Sequence, residues 1–327
     1  MTGRRHGTML ALCVLATLAA PALAQTQKRT PPPPPPAPSA AANPDNGNAD
    51  IAYGAFQRGM FLTALAEASK RAQQNDPAAM TLLGELYAQG LGVPRDDAKA
   101  ANWYKQAAAH GDRDAMFALA MFNLEGRAGP RNPDEAARLL AAAAKLGHAA
   151  AAYDLGLLYL QGQQFPQDFA RAAQLFRQAS DAGNADAQYA LAAMYKEGRG
   201  VPKDINEAER LMGLASVAGN VDAMVEFAIA QFNGSGVAKN EIAAAKLMLI
   251  AARRGSAIAQ DRMARILMAG RGMPTDATEA VKWHIIAKTG GDSDPDLDAF
   301  AAQQTQQVRD AAEKAAKIWM STLPPRP

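Results

Sequence analysis

The sequence predicts an all-α fold built from six repeats of a two-helix unit, and three observations lead to this prediction. Six glycines recur every 36 residues: Gly90, Gly126, Gly162, Gly198, Gly234 and Gly270. A second set keeps the same step: Gly111, Gly147, Gly183, Gly219, Gly255 and Gly291. Within each unit, large apolar residues are three or four positions apart, which is the spacing of one face of an α-helix. A fixed period of this length indicates a repeat array whose neighbouring units stack.

Residues 1–24 have the layout of a secretory signal peptide. Two arginines precede an apolar run over 9–20, and an A-x-A cleavage site ends at Ala24. We therefore expect cleavage after Ala24 and a mature chain that is periplasmic or secreted. The apolar run is too short for a membrane span, so the mature chain is expected to have none. Twin-arginine export and lipidation at Cys13 are the alternatives.

Residues 25–49 are rich in proline, with consecutive prolines over 31–36 and further ones at 38 and 44. Such a run favours the polyproline II conformation, which extends by about 3.1 Å per residue and does not pack into a core. We interpret the segment as a disordered, semi-rigid spacer that holds the repeats off the membrane or wall. Presentation of a proline-rich motif to a partner is the alternative.

The charges of the chain balance. It carries 34 Lys and Arg against 32 Asp and Glu, and loss of residues 1–24 removes Arg4 and Arg5, which leaves 32 against 32. A mature chain near neutrality argues against nucleic acid as a ligand and against adhesion to anionic lipid. The mature chain also lacks cysteine, so an exported fold has to rely on its apolar core without disulfides.

Six units of 36 residues fit the segment 76–291, and several columns of the alignment of these units hold only small residues. One column is Ala100, Ala136, Ala172, Ala208, Ala244 and Ala280. Another is Gly84, Ala120, Gly156, Ala192, Ala228 and Ala264. Small side chains at helix crossings let the helix axes approach to about 8 Å. We therefore expect each unit to be a closely packed helix pair, numbered below as repeats 1 to 6.

Polar residues at fixed positions predict where the helices begin. N-caps of the second helices are expected at Asp96, Asn132, Asp168, Asp204, Asn240 and Asp276. N-caps of the first helices are expected at Asp76, Asp112, Asn184, Asn220 and Ser256, with His148 as the exception. Glu135, Glu207 and Glu279 follow three residues after a cap, which predicts capping boxes. The glycine columns are expected to end the helices in the left-handed conformation.

Both ends of the array are expected to be capped, since an open solenoid otherwise exposes its core. Residues 50–75 are interpreted as a short helix pair, Ala52–Arg58 and Phe61–Gln74. Residues 292–327 are interpreted as one long capping helix over 296–320 and a tail. The residues expected to cover the last repeat are Phe300, Val308, Ala312 and Trp319.

The repeat resembles a known family. Its spelling, A-x-A-x-x-x-L-G-x-x-Y-x-x-G-x-G-V-P-x-D, is similar to Sel1-like repeats, relatives of tetratricopeptide repeats, and repeats 1 and 4 match closely. Asn123, Gln231 and Leu267 stand where the family usually has tyrosine. The resemblance implies an α/α right-handed superhelical solenoid used as an adaptor surface. It covers residues 76–291 and is far more specific for fold than for activity.

No group of residues has the pattern of a catalytic or metal site. The mature chain has three histidines, His110, His148 and His284, and no two of them have metal-ligand spacing. We interpret His110 and His148 as helix-end residues and His284 as a core residue. Nucleophile motifs such as G-x-S-x-G and S-x-x-K are absent from the sequence. We therefore expect no cofactor, no metal and no catalytic residue.

The candidate site is a surface. In related helical repeats the first helix lines the concave face, and by resemblance its inward positions in repeats 2 to 5 carry apolar side chains. The residues are Phe117, Met121, Leu124, Tyr153, Leu157, Leu160, Tyr189, Ile229 and Phe232. An exposed apolar stripe of this size would mark a groove for a partner. The alternative is that these side chains only pack between neighbouring repeats.

The sequence therefore favours a non-catalytic envelope scaffold that binds another envelope protein or a peptide segment. The family resemblance implies, more narrowly, regulation of an envelope sensor or of envelope assembly. A first alternative is an enzyme like the cysteine-rich exported relatives associated with penicillin binding or β-lactam hydrolysis, although this chain lacks their cysteines. A second alternative is binding of cell-wall glycan. The sequence leaves the oligomeric state open.

Overall fold

The computed structural model describes residues 51–162, 165–291 and 294–322, which form sixteen α-helices and no β-strand. The predicted signal peptide and the proline-rich linker lie outside these residues. The first helices of the repeats are α3 (Pro77–Gln89), α5 (Arg113–Glu125), α7 (Ala149–Gln161), α9 (Ala185–Glu197), α11 (Val221–Asn233) and α13 (Ala257–Ala269). The second helices are α4 (Asp97–Ala109), α6 (Pro133–Lys145), α8 (Phe169–Asp181), α10 (Ile205–Val217), α12 (Glu241–Arg253) and α14 (Ala277–Thr289). The flanking helices are α1 (Ile51–Gln57), α2 (Phe61–Ala72), α15 (Pro295–Gln303) and α16 (Gln306–Ser321).

The helices pack chiefly on their neighbours along the chain. The two helices of a repeat pack on each other, and each second helix packs on the first helix of the next repeat. The predicted alanine columns lie in these contacts, and alanines such as Ala100, Ala136 and Ala244 are fully buried. The predicted all-α solenoid of six repeats is therefore confirmed.

The small column adjusts to the residue that faces it. A methyl group on Gly84 would lie 2.5 Å from the ring of Tyr104, and one on Gly156 would lie 2.7 Å from the ring of Phe176. In the other four repeats the small residue is alanine, and the residue in the column of Tyr104 and Phe176 is not a six-membered ring. Those four residues are Leu140, Met212, Met248 and His284. Glycine therefore occurs where a phenyl or phenol ring needs the space of a methyl group.

The N-caps predicted for both helices of each repeat are confirmed, because each of these side chains accepts a backbone N–H in the first turn. The prediction that His148 is the exception among the N-caps is wrong. Its Nδ1 accepts the N–H of Ala151 at 3.0 Å and caps α7. An imidazole nitrogen can accept a hydrogen bond only while it carries no proton, so this cap requires a neutral ring.

Of the two hydrogen bonds in each predicted capping box, only the one to the cap side chain forms. Glu135, Glu207 and Glu279 do donate their backbone N–H to the cap residue. Their carboxylates, however, bind the basic residue three positions later instead of reaching back to the cap. The three pairs are Glu135 with Arg138, Glu207 with Arg210 and Glu279 with Lys282. A basic residue at this spacing on the helix competes successfully for the carboxylate.

Glycines in the loop between the two helices of a repeat are needed for two different reasons. Gly90 ends α3 in the left-handed conformation, with φ of 71°, and its N–H bonds to the carbonyl of Leu86. Gly200 also has a positive φ, of 70°, and a side chain there would collide with the carbonyl oxygen of Phe169 in the preceding repeat. The second position therefore lets the loop of one repeat lie directly on the second helix of the repeat before it.

The predicted single helix over 296–320 is wrong, because the segment forms α15 and α16. Gln304 is extended, with ψ of 154°, and the hydroxyl of Thr305 caps α16 by accepting the N–H of Val308. The break lets α16 pack along α14. Trp319 of α16 meets Trp283 of α14 edge to face, with ring centroids 5.6 Å apart.

Candidate protein-interaction surfaces

The nine predicted site residues form what we call the first-helix surface. They are Phe117, Met121 and Leu124 on α5, Tyr153, Leu157 and Leu160 on α7, Tyr189 on α9, and Ile229 and Phe232 on α11. All nine are half-buried and packed against the core. Each therefore keeps some accessible area while it also contributes to the packing of the array.

The aromatic members of this surface contact the repeat framework. The ring of Phe117 stacks on the ring of His148 in the next repeat, with centroids 4.4 Å apart. The ring of Tyr153 lies against Phe176 at 5.6 Å. These contacts fix the rings, so the two aromatic residues serve packing as well as offering a face.

The electrostatics around His148 keep its ring neutral. Burial and, to a smaller extent, the positive charge of Arg113 together lower the pKa of His148 to about 4. The Nε2 atom of His148 lies 3.5 Å from Asp114. Burial raises the pKa of Asp114. The neutral ring is the form that both the helix cap and the stack on Phe117 use.

Repeat 4 interrupts the apolar character of the first-helix surface. The hydroxyl of Tyr189 donates to Glu226 at 2.9 Å, and the Nζ of Lys196 binds the same carboxylate at 3.0 Å. Nearby, Glu209 is only 5% exposed, and its Oε2 is buried without a hydrogen-bond partner. Burial raises the pKa of Glu209. We did not predict this cluster, although Glu209 is the one acid in a column that is otherwise alanine or valine.

Arginines in alternate repeats tie neighbouring units together, and this pattern was also missed. Arg127 binds Asp97 of the preceding repeat at 2.6 Å. Arg271 binds Glu241 in the same way at 2.7 Å and lies over the ring of Phe232 at 5.5 Å. Phe232 of the first-helix surface is therefore partly covered by the guanidinium of Arg271.

The end repeats present charge in place of the apolar stripe. Glu85 of repeat 1 accepts the hydroxyl of Tyr104 at 2.8 Å. Arg265 of repeat 6 forms an ion pair with Asp294, which caps α15. The apolar part of the first-helix surface is thus confined to the central repeats.

The second helices carry exposed apolar side chains that the sequence reasoning did not single out. Leu214 and Val217 on α10 are 44% and 89% exposed, and Ile250 on α12 is 44% exposed. Repeats 1 and 2 contain two cavities of about 220 and 380 Å³, both lined by Lys105 and Leu119, and only the larger is also lined by α6. The structure therefore presents a second surface besides the predicted one.

The described residues contain no group of three or more metal-ligating side chains placed to hold an ion. In the same part of the chain, no helix has the length and apolar character needed to cross a membrane. His110 is the C-cap residue of α4 and is exposed, and His284 is buried and bonded to Asp298 at 2.8 Å. The histidines thus lie at helix ends or in the core, apart from one another.

Paired helices in units of 36 residues, joined by glycine loops and packed through small residues, define the chain as an α-solenoid of helical-hairpin repeats. The Sel1 repeat matches residues 77–112, 113–148, 149–184, 185–220, 221–256 and 257–292, and the chain belongs to the Sel1 repeat family. Proteins with this repeat are generally protein-interaction scaffolds. The matched units begin one residue after the frame chosen from the sequence.

Two solved structures illustrate the likeness. A Sel1 repeat protein from Oxalobacter formigenes is 27% identical, with a TM-score of 0.64, over 73% of this chain and 97% of that one. The c5321 protein, a protective antigen of uropathogenic Escherichia coli, is 24% identical, with a TM-score of 0.52, over 80% of this chain and 64% of that one. The second likeness concerns the fold alone. No protein of curated function matches the chain.

Proposed function

We propose that this protein is a non-catalytic periplasmic scaffold that binds a segment of another envelope protein along the first-helix surface. Through this binding it regulates an envelope sensor or an envelope assembly. The proposal rests on the family, on the predicted signal peptide and spacer, and on the absence of a catalytic motif from the sequence.

The observation that carries the proposal is the half-buried state of the first-helix surface. Side chains such as Met121, Leu157 and Ile229 keep accessible area at equivalent positions of three repeats. A bound segment would cover the remaining apolar area of several repeats at once, which is how helical repeats gain affinity from small contributions. Charged side chains at Glu85 and Arg265 close the stripe at both ends and favour a short segment over a partner that runs the length of the array.

The experiment is crosslinking in the native envelope followed by identification of the attached proteins. The test variant replaces Met121, Leu157 and Ile229 with Glu. The control variant replaces three exposed apolar residues elsewhere, Leu62, Leu146 and Ile318, with Glu. We expect the test variant to lose a crosslinked protein that the control retains, with helical circular dichroism unchanged in both. Equal loss or equal retention in the two variants would contradict the proposal.

The location and the lack of catalysis have separate tests. Fractionation should place the protein in the periplasm, and the amino terminus of the recovered chain should be Gln25. A chromogenic β-lactam assay should give turnover no higher than a heat-treated control. Cytoplasmic recovery of the full chain would overturn the location, and turnover above the control would favour an enzyme.

A further inference from the structure

The exposed apolar side chains on α10 and α12 lie in columns that differ along the array. At the position of Leu214 and Ile250, repeats 1 to 3 carry Gln106, Ala142 and Gln178, and repeat 6 carries Ile286. Leu214 and Ile250 are each 44% exposed, whereas Ile286 is 2% exposed. The same kind of side chain is therefore open in repeats 4 and 5 and covered in repeat 6.

The cover on repeat 6 is a helix. Besides the contact between Trp319 and Trp283, the hydroxyl of Thr289 on α14 bonds to the sulfur of Met320 on α16 at 3.7 Å. Thr289 occupies the column of Val217. The apolar face of an amphipathic helix, α16, thus packs on α14. On α14, Ile286 and Thr289 occupy the columns that are exposed in repeats 4 and 5.

By the repeat register, α10 and α12 of repeats 4 and 5 hold the positions that line a groove in repeats 1 and 2. The larger cavity in repeats 1 and 2 is lined by Ala109, Arg138 and Ala142. Three repeats later, the equivalent residues are Val217, Lys246 and Ile250. The chain has glycine in place of Lys105 at 213, and the ring of Phe227 lies directly against that glycine. Larger apolar side chains therefore replace the alanines, Phe227 takes the place of Leu119, and Lys246 keeps the positive charge of Arg138.

The charges at this groove are basic. In the exposed columns of α10 and α12, the charged residues are Arg210, Lys246 and Arg253. Arg210 is neutralised by Glu207 at 2.6 Å, whereas Lys246 and Arg253 have no carboxylate partner within the described residues. A second copy of the same groove would bring these cations face to face, which is unfavourable. An apolar helix with acidic flanks would pair with them.

We propose that the groove between α10 and α12 is a second docking site, which binds an amphipathic helix with acidic flanks from another protein. It uses the second helices and shares no residue with the first-helix surface. We therefore expect that both sites can be occupied at the same time, and that substitutions can remove binding at one site without affecting the other.

The test uses two fluorescent 18-residue helical peptides with the same leucine face, one flanked by Glu and the other by Lys. Binding to the full mature chain is measured by fluorescence anisotropy. We expect the Glu-flanked peptide to bind at least about tenfold more tightly than the Lys-flanked one, with affinity falling as salt is raised. The double variant Val217→Glu, Ile250→Glu should weaken binding of the Glu-flanked peptide at least about tenfold.

A charge variant and a control complete the design. Lys246→Glu with Arg253→Glu should reverse the preference between the two peptides. Leu62→Glu with Ile318→Glu, at exposed sites far along the chain from the groove, should leave both affinities unchanged. Thermal unfolding of all variants should match the parent chain, because the substituted side chains are on the surface.

Three results would overturn the inference. Equal binding of the two peptides, or binding insensitive to the groove substitutions, would remove the site. Binding to vesicles of phosphatidylglycerol that depends on Val217 and Ile250, without peptide binding, would identify a lipid surface. A concentration-dependent mass in sedimentation that these substitutions abolish would identify a second copy as the occupant. Neither peptide result bears on the first-helix surface, whose own test uses Met121, Leu157 and Ile229.

Discussion

The two apolar surfaces of this solenoid differ in how far they are committed to its structure. On the first helices, residues such as Phe117 and Tyr153 are half-buried and packed against rings of the repeat framework. On the second helices of repeats 4 and 5, Val217 and Ile250 extend into solvent. The difference indicates that a substitution on the first helices alters stability and binding together, whereas one on the second helices alters binding alone.

The largest expected effect concerns the histidine beneath the first-helix surface. The folded pKa of His148 is about 4, against 6.5 for an ordinary histidine. Between these two pH values the imidazole of His148 is protonated in the unfolded chain and neutral in the folded chain. The free energy of unfolding therefore falls as the pH falls from 6.5 to 4. The shift corresponds to at most about 3 kcal/mol, which solvent around the ring reduces.

Asn caps a helix without titrating, so His148→Asn should remove this pH dependence. Urea unfolding at pH 7, 5.5 and 4 would measure the gap in free energy of unfolding between the two chains. The gap should widen in favour of the variant as the pH falls, while carboxylates elsewhere contribute equally to both. A constant gap would show that the ring does not act as a neutral cap.

The next effect concerns the contact between the first and second helices. Gly156→Ala would place a methyl group 2.7 Å from Phe176 and should lower the free energy of unfolding by about 2 kcal/mol. The matched control is Ala192→Gly in repeat 4, where Met212 faces the alanine, and this change should cost about 1 kcal/mol through helix propensity and lost packing. Adding Phe176→Leu to Gly156→Ala should recover part of the loss. No recovery in the double variant would mean that the ring and the glycine are not coupled.

The comparison itself can be tested with one substitution on each surface. Leu157→Glu buries part of a carboxylate and removes core packing, so it should cost about 1–2 kcal/mol. Val217→Glu should stay within about 0.5 kcal/mol of the parent chain, because the side chain is 89% exposed. Chemical denaturation of both variants gives the answer. Similar losses would erase the distinction between the two surfaces.

The smallest effect is expected at Glu209. Its Oε2 is buried without a partner, so Glu209→Ala should stabilise the fold by about 1 kcal/mol at neutral pH. Burial raises the folded pKa of Glu209 above its usual value, so its destabilising effect appears as pH rises through that range and vanishes in acid. The stabilisation should therefore be larger at pH 8 than at pH 4. A variant less stable than the parent chain at both pH values would contradict this.

The sequence predicted the features that repeat and missed those that occur once. Within the six repeats, the period located every N-cap except His148, because an imidazole caps only when its tertiary surroundings keep it neutral. The division between α15 and α16 was missed because Gln304 ends α15 and Thr305 caps α16 without a glycine or proline to mark the break.

The candidate surfaces show the same limit. The positions of the nine residues on the first helices followed from the period, but their half-buried state depends on ring contacts such as that between Phe117 and His148. Leu214 and Ile250 are exposed because α16 packs on α14 and not on α10 or α12. An alignment of the repeats does not reveal which second helix α16 covers. Glu209 did carry a signal, as a lone acid in a column of alanine and valine, but its charged neighbours Lys196 and Glu226 lie on two other helices.

The pairing of Gly84 with Tyr104 and of Gly156 with Phe176 has a consequence for how such an array can evolve. Deleting one unit by recombination between a first and a second helix would place Ala120 against the ring of Phe176 or leave a void between Gly84 and Leu140. Deleting two units would restore a compatible pair. We expect hybrid chains that lose repeats 1 and 2 in register to fold, and hybrid chains that lose one of these repeats to unfold. The two glycines therefore determine which of the nearly identical units can be deleted.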